Sequence, residues 1–528
     1  MNTTQQLITK LYQLDVKLSL QNGRIRVNAP TGALTPELRA ELAAHKEELM
    51  RFLHQQAALQ PIPSTNHQGV APLSYAQQRL WFLDQLETTG ITYHLAILLQ
   101  LRGNLVLEAL EASLSTLVAR HEILRTTYRI IDDLPMQCIG APQAVSIIPV
   151  DLTAVPPEQH LAQVKVRIQQ EQARGFDLIH GPLWRFVLFR VSPTQNMLAI
   201  IMHHLITDEW STKILVREVG QLYTGFVTGQ EAELPPLSIQ YADYASWQRQ
   251  QLATPQWQQK MADWQQQFAD AATVLALPTD RPRSSTPSLG ADAVPFELSP
   301  LLSARLKSIS QAASATLYTT LLTAFAIFLA RYSQQDDLVI GSPVANRERQ
   351  EVESLIGFFV NTMALRIRLE NKPTFRSLLA DVQRLVLDAV GNVNLPFEQL
   401  VEALQPDRHL HFNPLFQTMF VWQTGINESL ALPGLTIEWL DLPINTLPVD
   451  LLLVMSEDES AGEAASTIGG RLCYSTDLFD ADTAKRMTEH FQHLLNLLVM
   501  APDVSVHTLP LLPAYEQHRL LVDWNGVP

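Results

Sequence analysis

Residues 183–223 read LWRFVLFRVSPTQNMLAIIMHHLITDEWSTKILVREVGQLY. Two bulky apolar runs, 183–191 and 197–202, flank the polar segment SPTQN, and this pattern predicts a hairpin of buried strands. A pair of histidines ends the second strand, and a helical pattern begins at Glu209. A polar loop between a buried strand and a helix predicts a functional site, because the scaffold fixes its side chains while the loop leaves them reachable.

Helix-like and strand-like patterns alternate over the rest of the chain, which predicts an α/β or α+β protein. At roughly 150 residues per domain, the 528 residues correspond to about three to four folding units. A proline-rich segment at 277–288 predicts the crossing between two halves. The most apolar stretch, 317–330, is shorter than the ~18 residues of a membrane span and predicts a buried helix.

Charge and cysteine content exclude several classes of function. The formal net charge is −15 and no Lys/Arg-rich run occurs, so nucleic acid is not an expected partner. Cys138 and Cys473 are far apart, which excludes a disulfide scaffold or a multi-cysteine zinc site. The N-terminal sequence MNTTQQLITK has no signal-peptide pattern. We expect a cytoplasmic, monomeric protein with no metal centre and no membrane association.

The N-terminal residues 1–56 predict a small αββα unit. Residues 3–14 have helical leucine spacing, alternating segments flank the turn Asn22-Gly23, and a second helical pattern covers 36–53. This unit carries seven Lys/Arg and five Asp/Glu, a net charge of +2, so the remainder carries −17. Residues 57–72 include QPIPSTNHQGVAP, which is rich in proline, serine and asparagine and predicts a linker.

The loop HHLITD at 203–208 has the composition of an acid–base site. A neutral imidazole can take a proton from an attacking amine or hydroxyl, or orient it, and a nearby carboxylate can hold the loop rigid by pairing with an arginine. Metal ligation and ordinary loop contacts remain alternatives from the pattern alone. Adjacent strand residues point to opposite faces, which argues against one metal bound by both His203 and His204.

Seven segments carry a family resemblance. They are LSYAQQRLWFL (73–83), ARHEILRTTY (119–128), MHHLITDEWS (202–211), YADYASW (241–247), IGFFVNTMALR (356–366), NLPFEQLVEAL (394–404) and NPLFQTMFVW (413–422). In this order they resemble the motifs of non-ribosomal peptide synthetase condensation domains over about residues 71–528. The resemblance implies two chloramphenicol-acetyltransferase-like α/β lobes in a V-shaped pseudo-dimer, with the active site in a tunnel between them. It places the lobes at 73–250 and 251–508, and it makes 509–528 the start of a linker to a downstream adenylation domain.

The resemblance implies an acyltransferase that forms amide bonds. The amine of an aminoacyl group on an acceptor carrier protein attacks the thioester of an acyl or peptidyl group on a donor carrier protein. Both substrates ride on phosphopantetheine arms, and no cofactor binds the chain directly. His204 matches the motif histidine that accepts the amine proton or positions the amine. His203 is expected to brace the loop, and Asp208 completes the catalytic motif as a mainly structural residue.

The resemblance also implies residues that support the site. Arg347 in the segment GSPVANR is the expected ion-pair partner of Asp208, and Arg79 is expected to be structural. Other residues are expected along the acceptor side of the tunnel: Glu209, Trp210, Ser211 and Asn361.

Glu209 departs from the family motif HHxxxDG, because it stands where the motif has glycine. A glycine at a turn supplies a positive φ or room for a close approach, so Glu209 either alters the loop or adds an anion beside the acceptor path. We expect an active domain with a changed tunnel. The alternative is a catalytically silent domain that only recruits carrier proteins.

Residues 7–53, including the turn PTGALT, resemble the N-terminal docking domains of the tubulysin-synthetase kind. In that family the hairpin pairs with a short acidic C-terminal tail of the upstream synthase. Lys17, Arg24 and Arg26 along the hairpin have the charge that such a tail requires. Solubilising surface cations are the alternative interpretation.

Related activities remain alternatives to peptide-bond formation. A starter condensation domain or a CoA-dependent acyltransferase would use a fatty acyl donor, and the free acyltransferase would not explain the docking unit. A cyclising domain is disfavoured because that type replaces the motif histidines with aspartate. The segment RHEILRT favours condensation over epimerisation by resemblance.

Overall fold

The computed structural model describes residues 16–21, 24–29, 36–46, 49–50, 61–86, 92–271, 274–284, 290–404, 413–423, 430–458 and 466–524. The predicted first helix (3–14), the turn Asn22-Gly23 and the end of the second helical pattern (51–53) lie outside these residues.

The N-terminal unit pairs a hairpin with a helix: β1 (Lys17–Gln21), β2 (Arg24–Asn28) and α1 (Pro36–Ala44). The strands are antiparallel and pair Leu18 with Val27, and both side chains pack toward the buried Leu38 of α1. Because side chains alternate along a strand, the exposed Arg26 lies on the face opposite the packed Ile25 and Val27. The predicted hairpin is confirmed.

The first half of the larger body supplies most of the first lobe. Its elements are β3 (Val70–Pro72), α2 (Tyr75–Leu86), β4 (His94–Gly103), α3 (Leu107–Arg120), β5 (Thr126–Ile131), β6 (Leu134–Ile139), β7 (Val150–Asp151), α4 (Pro157–Gln172), β8 (Trp184–Ser192), β9 (Gln195–His203), α5 (Glu209–Thr228) and α6 (Tyr241–Leu252).

The second half supplies the second lobe. Its elements are α7 (Pro255–Phe268), β10 (Ala291–Glu297), α8 (Pro300–Ala312), α9 (Leu317–Ser333), β11 (Asp337–Val344), α10 (Gln350–Glu353), β12 (Asn361–Arg368), α11 (Phe375–Gly391), α12 (Phe397–Leu404), β13 (Thr418–Gln423), β14 (Leu430–Leu432), β15 (Leu435–Leu440), β16 (Leu451–Asp458), β17 (Thr467–Ser475), α13 (Ala481–Met500) and α14 (Ala514–His518).

Each lobe is built on one six-stranded sheet. The strand order is β14-β15-β4-β9-β8-β7 in the first lobe and β10-β17-β16-β13-β11-β12 in the second. The predicted β8–β9 hairpin is confirmed. Residues 197–202 of β9 are all apolar because alternate residues enter two different core clusters. The predicted buried helix is also confirmed as α9, whose residues from Thr319 to Ala330 are all buried.

The two halves exchange structure, which the predicted division at residue 250 does not anticipate. β14 and β15 follow β13 in the chain, yet β15 pairs with β4 and so joins the first lobe's sheet. The crossing requires a close backbone approach, since a Cβ at Gly103 would lie 2.0 Å from the carbonyl oxygen of Gly434. The segment that contains α10 also packs into the first lobe's core through Val352, Leu355 and Phe359.

The predicted linkers 57–72 and 509–528 are too long, because the residues of each that are nearest the larger body belong to its fold. Residues 70–72 form β3, which pairs with β6, and Ile62 is buried in the first lobe's core. At the other end Leu509 is buried in the second lobe, and the Tyr515 hydroxyl of α14 donates to Glu489 at 2.6 Å. These segments contain apolar side chains that the body covers, which their proline-rich composition hides.

Hydropathy gives no single membrane-spanning helix within the described ranges; only the bent pair α8 and α9, taken together, has the necessary length and composition.

Candidate active site

The loop at 203–208 lies where β9 of the first lobe meets the second lobe. β9 ends at His203, a 3₁₀ turn covers His204–Ile206, and α5 begins at Glu209 with Asp208 as its N-cap. The Asp208 carboxylate accepts from the Ser211 backbone N–H at 2.7 Å, which satisfies one of the free donors at the helix start. The loop is therefore fixed by a strand on one side and a capped helix on the other.

His204 is held as a neutral base. Its Nδ1 lies 3.0 Å from the Thr207 carbonyl oxygen and must donate to it, so the lone pair of the neutral ring is on Nε2. Burial lowers the pKa of His204, and the Thr207 carbonyl opposes this shift, so the ring is neutral at pH 7. Nε2 has no hydrogen-bond partner within the described residues, and the side chain is partly exposed beside Phe358 of the second lobe.

His203 has the bracing geometry that was expected of it. Its ring is fully buried, Nδ1 accepts from the Leu205 backbone N–H at 3.0 Å, and Nε2 lies 3.2 Å from the Asp84 carboxylate. Both ring nitrogens are therefore engaged, and the proton on Nε2 points to Asp84. His203 therefore uses both ring nitrogens in the fold, whereas His204 uses only Nδ1.

Asp208 and Arg347 form the expected ion pair, and both are almost completely buried. Arg347 Nη2 lies 3.1 and 3.3 Å from the two carboxylate oxygens, while Nη1 donates to the carbonyls of Val352 and Leu355 at 2.7 and 2.6 Å. Asp208 also accepts from the Phe359 N–H at 3.0 Å. Burial lowers the pKa of Arg347 and the neighbouring carboxylate opposes that shift. The pair joins the loop to the second lobe.

Trp210 and Ser211 contact the second lobe's backbone. The Ser211 hydroxyl is buried, donates to the Gly357 carbonyl at 2.8 Å and accepts from the Gly357 N–H at 3.0 Å. Trp210 Nε1 donates to the Glu353 carbonyl at 3.1 Å. The expectation that Ser211 lines the acceptor side is corrected, because its hydroxyl is fully engaged between the lobes. A buried, engaged hydroxyl is also unsuited to act as a nucleophile.

Glu209 leaves the loop backbone unstrained. It is the exposed first residue of α5 and is absent from the residues with positive φ. A carboxylate in the first turn is favourable because it faces the positive end of the helix dipole. Glu209 therefore fits the loop without backbone strain and adds an anion at the start of α5.

Asn361 and Arg79 are engaged in structural contacts. The Asn361 amide donates to the carbonyls of Val393 and Leu395 and accepts from the Phe397 N–H, all within 3.0 Å. The expected approach to the tunnel is corrected, because these backbone contacts of the second lobe occupy the amide. Arg79 lies over the Phe397 ring and 3.5 Å from Glu398, so it bridges α2 of the first lobe and α12 of the second.

Two contacts at the loop were not anticipated. The Leu205 carbonyl accepts hydrogen bonds from Gln77 Nε2 at 2.9 Å and from the Tyr128 hydroxyl at 3.0 Å. Gly357 also lacks room for a side chain, since a Cβ there would lie 2.1 Å from the Tyr241 ring. No cluster of three or more His, Cys, Asp or Glu that could hold a metal ion occurs in the described part of the chain.

Comparisons with known proteins identify both parts of the chain. The family model of the condensation domain matches residues 67–521, and that of the TubC N-terminal docking domain matches residues 5–55. Malpinin synthetase of Mortierella alpina is 39% identical over 93% of this chain, and chondramide synthase of Chondromyces crocatus is 37% identical over 88%. The chain spans only 6% of the length of the first of these relatives and 12% of the second.

A solved structure agrees with the fold. The X-domain from teicoplanin biosynthesis superimposes with a TM-score of 0.78 at 28% identity, covering 86% of this chain and 100% of that one. The expected two-lobed fold is thereby confirmed. Condensation domains of peptide synthetases form amide bonds, which is an acyltransferase activity. The chain belongs to the condensation domains of non-ribosomal peptide synthetases and carries a TubC-type docking domain at its N-terminal side.

Proposed function

We propose that the chain joins an acceptor aminoacyl amine to a donor acyl or peptidyl thioester, with both substrates on the phosphopantetheine arms of carrier proteins. The observation that carries the proposal is the state of His204. Its ring is neutral, its Nδ1–H is fixed on Thr207, and its Nε2 lone pair is available at the junction of the lobes. A neutral imidazole with a free nitrogen lone pair can accept the proton of an attacking amine near neutral pH.

The reaction needs one base and no covalent enzyme intermediate. The amine nitrogen attacks the thioester carbon, and the amine proton passes to His204 Nε2 as the tetrahedral intermediate forms. Collapse of that intermediate breaks the carbon–sulfur bond, and the imidazolium returns the proton to the departing thiolate. Asp208 and Arg347 take no part in these transfers; they hold the loop so that little reorganisation is needed at the moment of reaction.

The test is amide formation between two loaded carrier proteins, followed by intact-mass analysis of the acceptor. We expect product from the wild-type chain and a loss of about 10²- to 10⁴-fold in His204→Ala, the range of acid–base catalysis. His180→Ala is the matched control, because His180 is an exposed histidine of the same lobe. Absence of product from the wild type, with both carriers verified as loaded, would refute the proposal.

A silent recruitment domain is the second candidate. The X-domain that resembles this chain has been solved in complex with OxyB, and Glu209 departs from the motif glycine. Comparing Glu209→Gly with His204→Ala separates the candidates, since a silent domain is indifferent to the second change. An active domain loses turnover in His204→Ala, and Glu209→Gly then reports the effect of the anion on the acceptor.

We propose that the docking unit binds an acidic C-terminal tail of an upstream synthase. The support is Arg26, whose exposed side chain lies on the hairpin face opposite the packed helix, together with Lys17 and Arg24 in the sequence of the same two strands. Among the described residues the hairpin is a two-stranded sheet. A peptide strand can add to the edge of such a sheet, and nearby cations attract carboxylates. The proposed downstream partner is an adenylation domain.

Charge reversal tests the docking proposal. The triple variant Lys17→Glu, Arg24→Glu, Arg26→Glu should abolish binding of an acidic tail peptide measured by calorimetry, and wild-type binding should weaken with salt. Arg39→Glu is the matched control, because Arg39 is an exposed cation on α1. Unchanged affinity in the triple variant would contradict the electrostatic proposal. Replacing the donor carrier by an acyl-CoA tests the starter alternative in the same assay.

A further inference from the structure

Side chains hold both backbone polar groups of Leu205, the residue that follows His204. Its N–H donates to His203 Nδ1 at 3.0 Å. Its carbonyl accepts from Gln77 Nε2 at 2.9 Å and from the Tyr128 hydroxyl at 3.0 Å. All of these side chains are buried, so the bonds do not compete with water. No other carbonyl of the loop at 203–208 has two side-chain donors in the described structure.

Gln77 performs two tasks with one amide. Its Oε1 accepts from the Ser74 N–H at 3.1 Å while its own N–H donates to the Ser74 hydroxyl at 3.1 Å, which is a capping box at the start of α2. The capping box fixes the side-chain rotamer. The remaining group, Nε2, donates to the Leu205 carbonyl and to the Tyr128 hydroxyl. A helix start of the first lobe thus reaches the active-site loop through a preorganised side chain.

Tyr128 supplies the second donor from β5. Its hydroxyl accepts from Gln77 Nε2 at 2.8 Å, so its single proton is left for the Leu205 carbonyl. Burial raises the pKa of Tyr128, which keeps the hydroxyl protonated at every pH of interest. Both donors to the Leu205 carbonyl, Gln77 Nε2–H and the Tyr128 hydroxyl, therefore keep their protons as the pH changes.

The Leu205 carbonyl lies two residues before the Thr207 carbonyl, which holds the His204 ring. The Thr207 carbonyl that holds His204 Nδ1 belongs to the same short turn, and the Thr207 N–H donates to the His204 carbonyl at 3.3 Å. A shift of the Leu205 peptide must move the Thr207 carbonyl, and the imidazole turns with it.

We propose that Gln77 and Tyr128 are positioning residues for His204: by holding the Leu205 carbonyl they fix the turn that aims the Nε2 lone pair at the acceptor amine. The inference rests on the proposed function of His204. It assigns neither residue a contact with the substrate.

Tyr128→Phe and Gln77→Met test the proposal in the whole chain. With both carriers loaded and saturating, each change should slow amide formation by about 10-fold and the double change by about 100-fold, since small misplacements of a catalytic group cost about 10²-fold. The KM for either carrier should stay unchanged. ¹⁵N NMR of labelled histidine should show a mixture of His204 tautomers in place of the Nδ1–H form, and the pH dependence of the rate should shift.

Tyr223→Phe is the matched control. Tyr223 is a buried tyrosine of the same lobe whose hydroxyl accepts from the Val106 N–H at 3.0 Å, away from the loop. It should lose a similar amount of thermal stability and keep the wild-type rate. Tyr128→Phe changes only one oxygen and decides the matter if Gln77→Met does not fold.

Wild-type rates in Tyr128→Phe and Gln77→Met, alongside an inactive His204→Ala, would overturn the positioning role. Slower rates with an unchanged His204 tautomer and pH profile would overturn it as well. An active His204→Ala would instead refute the proposed function of the histidine, so the two failures are distinguishable.

Discussion

Removal of the Asp208 carboxylate should lower the stability of the fold as well as the rate of amide formation. The carboxylate accepts hydrogen bonds from the Ser211 and Phe359 N–H groups and from Arg347 on both oxygens, at 2.7 to 3.3 Å. Asp208→Ala leaves the Arg347 guanidinium buried without its counter-charge, which costs about 3–5 kcal/mol. Loss of the N-cap of α5 adds about 1 kcal/mol.

Thermal unfolding measures this loss. At about 2–4 °C per kcal/mol for a unit of 150–250 residues, the melting temperature should fall by about 10 °C or more. Asp177→Ala is the control, because Asp177 caps an exposed turn of the same lobe and should change stability by less than about 1 kcal/mol. The double variant Asp208→Ala, Arg347→Leu should recover part of the loss, since it removes the stranded charge.

One result would refute the structural role of the Asp208 carboxylate. An Asp208→Ala chain that is inactive but melts at the wild-type temperature would show that the ion pair contributes nothing to the fold. The carboxylate would then have to act in the reaction itself, although Arg347 and the helix start enclose it.

Titration and exposure give three further predictions. Because burial lowers the pKa of His204, the rate of amide formation should rise with pH through a midpoint below 6.5, the ordinary pKa of histidine; a midpoint above 6.5 in the pH–rate profile would contradict this. Burial lowers the pKa of His94 to about 4, so between pH 6.5 and 4 the unfolded chain binds a proton that the folded chain does not. As the pH falls from 6.5 to 4, the free energy of unfolding should therefore fall by about 3 kcal/mol, and His94→Asn should remove this loss. Equal pH dependence of stability in both proteins would refute the prediction. Burial raises the pKa of Cys473 to about 11, so a thiol reagent at pH 8 should label only the half-buried Cys138 in the folded chain, and two rapidly labelled thiols would contradict the burial.

Local patterns predicted the elements that carry the loop. The apolar runs of β8 and β9, the helical pattern from Glu209 and the apolar helix α9 each depend on neighbouring residues, so their periodicity is visible in the sequence. The pairing of β15 with β4 joins residues more than 300 positions apart. Such pairings depend on where the chain returns in space, which no local window records.

The sequence predicted only part of the site, because some of its contacts join residues that are far apart in the chain. Family resemblance predicted roles for His203, His204 and Asp208, and the structure brings Arg347 to Asp208 as expected. The sequence also contains the capping-box signature Ser-x-x-Gln at 74–77, which predicts the use of Gln77 Oε1. It does not reveal the use of Nε2, because that bond depends on α2 packing against a loop 128 residues later.

The loop geometry couples His204 to the arrangement of the two lobes. The first lobe holds the Leu205 carbonyl through Gln77, and the second lobe holds Asp208 through Arg347. Between these anchors lie only Ile206 and Thr207, and the Thr207 carbonyl fixes the imidazole. Because Asp208 follows Thr207 directly, a displacement of the second lobe that moves Asp208 would also disturb the hydrogen bond that holds the His204 ring. The orientation of the His204 ring therefore depends on contacts from both lobes, which matches its proposed role at their junction.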